Sequence, residues 1–119
     1  KIKLIAAHQN IYTPPDHSHG VKDCPMLGRF ALEHWSQHGL TGLLHGHLHH
    51  AAVYDLNQIY QLGVSHPVLD IHAGTATSYR LHAGLPNSLN IILPNADVQH
   101  LSFNAETNHF ELMQQNTSD

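Results

Sequence analysis

The chain has 119 residues, 41% of them hydrophobic, with 14 histidines and a formal charge of -4 from five basic and nine acidic side chains. That is enough core for one domain, and so few Lys and Arg, with no basic run, argue against a nucleic-acid backbone or an anionic membrane surface as the main partner. The lone Cys24 excludes an internal disulfide, no apolar run approaches the ~18 residues of a membrane span, and no segment has the order of a secretion signal, so a cytoplasmic protein is expected.

Ile2 to Ala7 is an apolar run that predicts a strand, with His8 where the run gives out. It opens without a methionine, cap or polar lead-in, and reads as the interior of a longer protein. Gln9 to Cys24, with Pro14-Pro15 and Gly20, reads as a long loop. Pro25 suits the first turn of a helix and Asp23 its cap; Leu27, Phe30, Ala31, His34, Trp35 and His38 then recur at helical spacing until Gly39, which places Leu27, Phe30 and Trp35 in the core. Thr41 to His45 returns as a strand, so a β-α-β crossover sets it beside the first, and parallel to it. From there the pattern alternates. Strands are expected at Ala52–Leu56, Pro67–His72, Leu89–Leu93 and Val98–Phe103, with His109–Leu112 closing a hairpin and a frayed tail from Gln114.

Chemistry concentrates in Gly42-Leu43-Leu44-His45-Gly46-His47-Leu48-His49-His50-Ala51-Ala52. A short buried strand runs into a glycine, which lets the chain turn with no Cβ in the way, and then presents His47 and His49 one residue apart. Neutral imidazole suits zinc, iron, manganese or nickel. His8 also follows a strand, and ligands in α/β sheets gather at the carboxyl ends of strands, so His8, His47 and His49 are the candidate metal ligands. His45 and His50 read as packing or support for that pair. Asp16, Asp23, Asp55 and Asp70 are the nearest aspartates, and all four read as loop caps or solvated strand positions.

Three blocks in order, Ala7-His8-Gln9-Asn10, then Gly46-His47-Leu48-His49, then Ala73-Gly74-Thr75-Ala76-Thr77-Ser78-Tyr79-Arg80 followed by Leu85-Pro86-Asn87-Ser88-Leu89-Asn90, resemble the C-terminal half of the calcineurin-like metallophosphoesterase superfamily. The third block is most similar to its bacterial phosphodiesterase-like branch. The resemblance covers nearly all of residues 1–119 and implies an α/β fold: part of a four-layer α/β/β/α sandwich of two sheets flanked by helices, with the N-terminal half absent. It implies hydrolysis of small phosphomonoesters or phosphodiesters by a metal-bound hydroxide on two divalent ions (manganese, iron or zinc). His8 and His47 would hold one metal and His49 the other, and Arg80 and Asn87 are candidates for touching substrate. The family's bridging aspartate, Asp-x-His pair, Asn-His-Glu block and leaving-group acid would all lie in the absent half, so this chain carries no catalytic acid or base. Gln9 departs from the family, many members of which have a second histidine there.

Three neutral imidazoles cannot by themselves hold two dications about 3.5–4 Å apart, which need anionic ligands between them. The expected partner is therefore the missing half of the same fold or a second copy. Two other readings remain. A non-catalytic His-rich module would bind metal through its many histidines without hydrolysis. A cupin-type barrel also uses His-x-His, but it expects a glutamate a few residues on and an all-β chain.

Overall fold

A computed structural model describes residues 1–14, 26–46, 48–81 and 84–116, the side chains of 114–116 excepted. Among these residues the chain is mixed α/β, with two sheets and two helices. Strand β1 (Leu4–Ala6) leads to helix α1 (Gly28–Gln37), strands β2 (Gly42–His45) and β3 (Ala52–Asp55), helix α2 (Leu56–Tyr60) and strand β4 (Leu69–His72). Strands β5 (Ser88–Ile92), β6 (Val98–Asn104) and β7 (His109–Asn116) follow. The first sheet has the order β1-β2-β4-β3. Its first three strands are parallel and β3 runs against β4. The second sheet is the antiparallel meander β5-β6-β7, with a register shift at His100/Leu101.

Each junction is fixed locally. Gly39 ends α1 at φ +89, a left-handed conformation that favours glycine, and the chain re-enters the sheet where the Lys3 carbonyl accepts from the Thr41 and Gly42 amides. The expected cap Asp23 and the first-turn Pro25 lie outside the described residues. Helix α2 was not anticipated from the pattern. Its cap is the Asp55 carboxylate, which accepts from the backbone of Asn57 (3.0 Å) and Val68 (3.3 Å). The exit of β4 passes close to the start of β5, since a Cβ on Gly74 would fall 2.5 Å from Ser88 Oγ.

The core joins Leu32, Leu40, Leu43, Leu56, Leu62 and Val68, with Ile5, Tyr12, Trp35 and Tyr60 packed against it. This corrects the expected helix face. Trp35 does reach the core, but Leu27 and Phe30 are 71% and 72% exposed, and the buried line is Gly28, Leu32 and Ser36. Apolar residues occupy both sides of α1, and spacing alone cannot say which stripe meets the sheet. Sequence alternation fares better along the strands. Ile5, Leu43 and Asp70 are in register across the first sheet, so Leu43 and His45 of β2 share a face with Asp70 and His72 of β4.

Two outcomes follow for stability. Leu32→Ala should cost about 2–5 kcal/mol in denaturant unfolding, and Phe30→Ala no more than about 0.5 kcal/mol; the opposite order would restore the rejected face. On β6, His100 donates through Nδ1 to Asn90 Oδ1 (2.9 Å), and burial pushes its imidazole below the ordinary 6.5. The unfolded chain therefore takes up this proton first as pH falls. The neutral ring's contribution is complete above about pH 6.5 and declines below it until the lower native value is passed. His100→Gln should flatten that part of a stability-against-pH curve.

Candidate metal centre

Because β1, β2 and β4 are parallel, the segments after them leave the same edge of the sheet. His8 follows β1, the Gly46-to-His50 loop follows β2, and Ala73 to Arg80 follows β4. His8 is exposed, and His47 lies outside the described residues. His49 sits at φ +55, a left-handed position that histidine tolerates better than most side chains. Its ring Nδ1 lies 2.7 Å from the Arg80 carbonyl oxygen. A carbonyl only accepts, so Nδ1 carries the hydrogen and Nε2 keeps its lone pair. This is the arrangement of a metal-ligating imidazole, whose far nitrogen is anchored on a carbonyl or carboxylate.

Both expected substrate groups also brace the loops beside the histidines. Arg80 is exposed and meets the histidine loop through its backbone oxygen. Asn87 donates its amide to the carbonyls of Thr75 (3.0 Å) and Ser78 (2.8 Å), bracing the loop after β4. Gly46 stands in open space among the described residues. A Cβ there meets nothing within 4 Å and its φ is not positive, so among the described residues neither crowding nor backbone conformation requires glycine.

Beneath these loops is a cluster the pattern did not reveal. His45 and His72 are cross-strand partners, and Asp70 lies two residues before His72 on the same face. His45 Nε2 lies 2.5 Å from Asp70 Oδ1 and His72 Nε2 lies 2.7 Å from Oδ2, with all three side chains almost fully shielded from solvent. The rings meet edge to face, 3.9 Å between centroids, and Tyr54 stands 5.4 Å from His72 on its other side. Burial acts most strongly on Asp70 and would raise its carboxyl. The two imidazole hydrogen bonds and the attraction of both rings outweigh it, and the group ends below its ordinary 3.8. The carboxylate accepts at both oxygens, which assigns the hydrogens to the two Nε2 atoms. Among the described residues His45 Nδ1 and His72 Nδ1 are buried and make no hydrogen bond.

Asp70 is therefore not the solvated strand position that alternation implies, because α1 and the Tyr12 segment cover that face of the sheet. His45 is buried with its ring turned to Asp70 on the neighbouring strand. An Asp-x-His spacing, expected only upstream, is present here at Asp70 and His72. On a strand that spacing puts both side chains on one face, a signal available in the sequence. One donor atom from each of His45, Asp70 and His72 lies within 4.8 Å of the other two, so the cluster can hold a metal ion.

Compared with protein-family models, curated proteins and solved structures, the chain matches none. Among the described residues no helix is long and apolar enough to cross a membrane.

Removing the shared acceptor tests the cluster. Asp70→Asn leaves two buried imidazoles competing for one amide oxygen and should cost about 1–3 kcal/mol, the usual loss when a buried hydrogen-bonding group is left unmet. Thermal or urea unfolding reads this directly, and a loss below about 1 kcal/mol, typical of an exposed pair, would mean that the three groups do not depend on one another.

Proposed function

We propose that this chain supplies histidine ligands to a dinuclear metal centre that hydrolyses phosphomonoesters or phosphodiesters, in the manner of the calcineurin-like metallophosphoesterases. The observation that carries the proposal is the tautomer of His49. Its Nδ1–H is committed to the Arg80 carbonyl, and its Nε2 lone pair is left for a ligand. The parallel order of β1, β2 and β4 adds support, because it brings the exits toward His8, the histidine loop and the Arg80 loop to one edge. His8 and His47 would hold one ion and His49 the other. When bound, such ions lower the pKa of water and neutralise charge on phosphoryl oxygens.

In this reading the chain's own residues position rather than transfer protons. Asn87 holds the loop after β4, that loop presents the Arg80 carbonyl, and the carbonyl orients His49. The exposed Arg80 guanidinium is the candidate for a substrate phosphate. Two dications side by side need carboxylates between them. Asp70 is the buried carboxylate among the described residues, and both its oxygens are taken by His45 and His72. Further anionic ligands would then come from another polypeptide segment, either the rest of the same fold or a second copy. The exposed apolar side chains Leu4, Leu112 and Met113, all on edge strands, suit such pairing.

The 119-residue chain alone should show no manganese-dependent turnover of a nitrophenyl phosphodiester, and a longer polypeptide containing it should show chelator-sensitive turnover. In that polypeptide His49→Ala should lower kcat/KM by about 100-fold or more, beyond what loss of an outer supporting residue costs. Turnover indifferent to chelation or to His49→Ala would sink the proposal. Metal uptake with no turnover in any form would instead support the non-catalytic metal-binding module.

A further inference from the structure

We infer that His45, Asp70 and His72 form a buried site for a single divalent transition ion, zinc by its chemistry, separate from the strand-end histidines. The ion would bind through the imidazole nitrogens of His45 and His72, with Asp70 as the carboxylate that orients both rings. The inference does not depend on hydrolysis at the strand ends.

The argument is an accounting of donors and acceptors. Each ring turns Nε2 toward a different oxygen of one carboxylate, at 2.5 and 2.7 Å. A neutral imidazole has one N–H and one lone pair, so with Nε2 donating, the lone pair of each ring is on Nδ1. Among the described residues neither Nδ1 atom has a hydrogen-bond partner, and both are buried, on residues only 6% and 0% exposed. A buried acceptor left unmet costs about 1–3 kcal/mol, and two on adjacent rings cannot relieve one another because neither has a hydrogen to give. One cation answers both lone pairs together.

The surroundings fit such an ion. Metal-bound histidines characteristically donate their other nitrogen to a carboxylate, which fixes ring and tautomer, and here one carboxylate does this for two histidines. Its negative charge also offsets part of the ion's in a low-dielectric interior. The two rings stand 3.9 Å apart at their centroids, close enough for one nitrogen of each to share an ion at the distances of about 2.0–2.1 Å usual for zinc. Imidazole nitrogen favours zinc, nickel or copper over magnesium or calcium. Placed between β2 and β4, the ion would fasten the two strands whose exits carry the histidine and Arg80 loops.

The rival occupant is a water molecule donating one hydrogen to each Nδ1, and surface histidines could take up zinc adventitiously. The test is zinc retention against a chelator on the whole protein, with binding measured by competition. The unmutated protein and His49→Ala should both keep one slowly exchanging equivalent, His72→Gln should lose it, and Asp70→Asn should weaken it about 10–100-fold. Should His72→Gln fail to fold, the unmutated protein decides the matter. Loaded with cadmium and nitrogen-labelled at histidine, it should show metal–nitrogen couplings from His45 and His72. Zinc that exchanges freely, that disappears with His49→Ala, or couplings confined to other histidines would overturn the inference.

Discussion

The Asp70 carboxylate, held at both oxygens by buried imidazoles, is the constraint on which the rest of this structure depends. An ionised carboxylate without partners in that position would be prohibitively costly, and it is tolerable only because His45 and His72 reach it together. That requirement fixes the register of β2 against β4. A slip of one residue would set His45 opposite Ile71, turn one set of polar side chains to the other face, and leave the carboxylate uncompensated. The loops that leave β2 and β4 therefore start from defined positions. The His49-to-Arg80 hydrogen bond joins them a few residues further on.

The two faces of the first sheet do different work. One packs Leu43 against α1 and carries the polar cluster at its carboxyl edge, walled by Tyr54 and Tyr12, whose rings are 5.0 Å apart. The other presents Leu44 and Ile71 to a cleft of about 420 Å³, closed on its far side by Leu89, Asn90 and Ile92 of β5. Asn90 crosses from the second sheet to donate to the His72 carbonyl at 3.1 Å, and its side-chain oxygen accepts from His100. The second sheet is thus tied to the same strand end that holds the cluster. A change at Asp70 would be felt across the sheet as well as along it.

Much of this was legible in the residue order. The apolar run Ile2 to Ala7, the segment Thr41 to His45 and the alternating Pro67 to His72 mark strands by composition, and the intervening helix makes the parallel pairing of the first two the natural outcome. Periodicity failed where two answers were equally periodic. Leu27 and Phe30 form one stripe on α1 and Leu32 with Trp35 another, and only the sheet chooses between them. Asp70 was misread because alternation on a half-buried strand predicts a wet polar face, whereas β4 lies inside the sheet with both faces covered. The meeting of His45 and His72 joins residues 27 positions apart, and such a contact follows from strand order rather than local pattern. Helix α2 is too short for periodicity to register, though Asp55 ahead of Leu56 and Asn57 is a capping signal.

The central claim is that one buried carboxylate binds the Nε2 hydrogens of two histidines and thereby sets the sheet that carries the histidine and Arg80 loops. Histidine tautomers can be read directly from nitrogen–proton correlation spectra of labelled protein at neutral pH, before any metal is added. The account predicts that His45 and His72 are both Nε2–H tautomers with slowly exchanging, strongly deshielded protons, and that His49 is the opposite, Nδ1–H, tautomer. Finding either buried ring as the Nδ1–H form, or with its Nε2 proton in fast exchange with water, would contradict it.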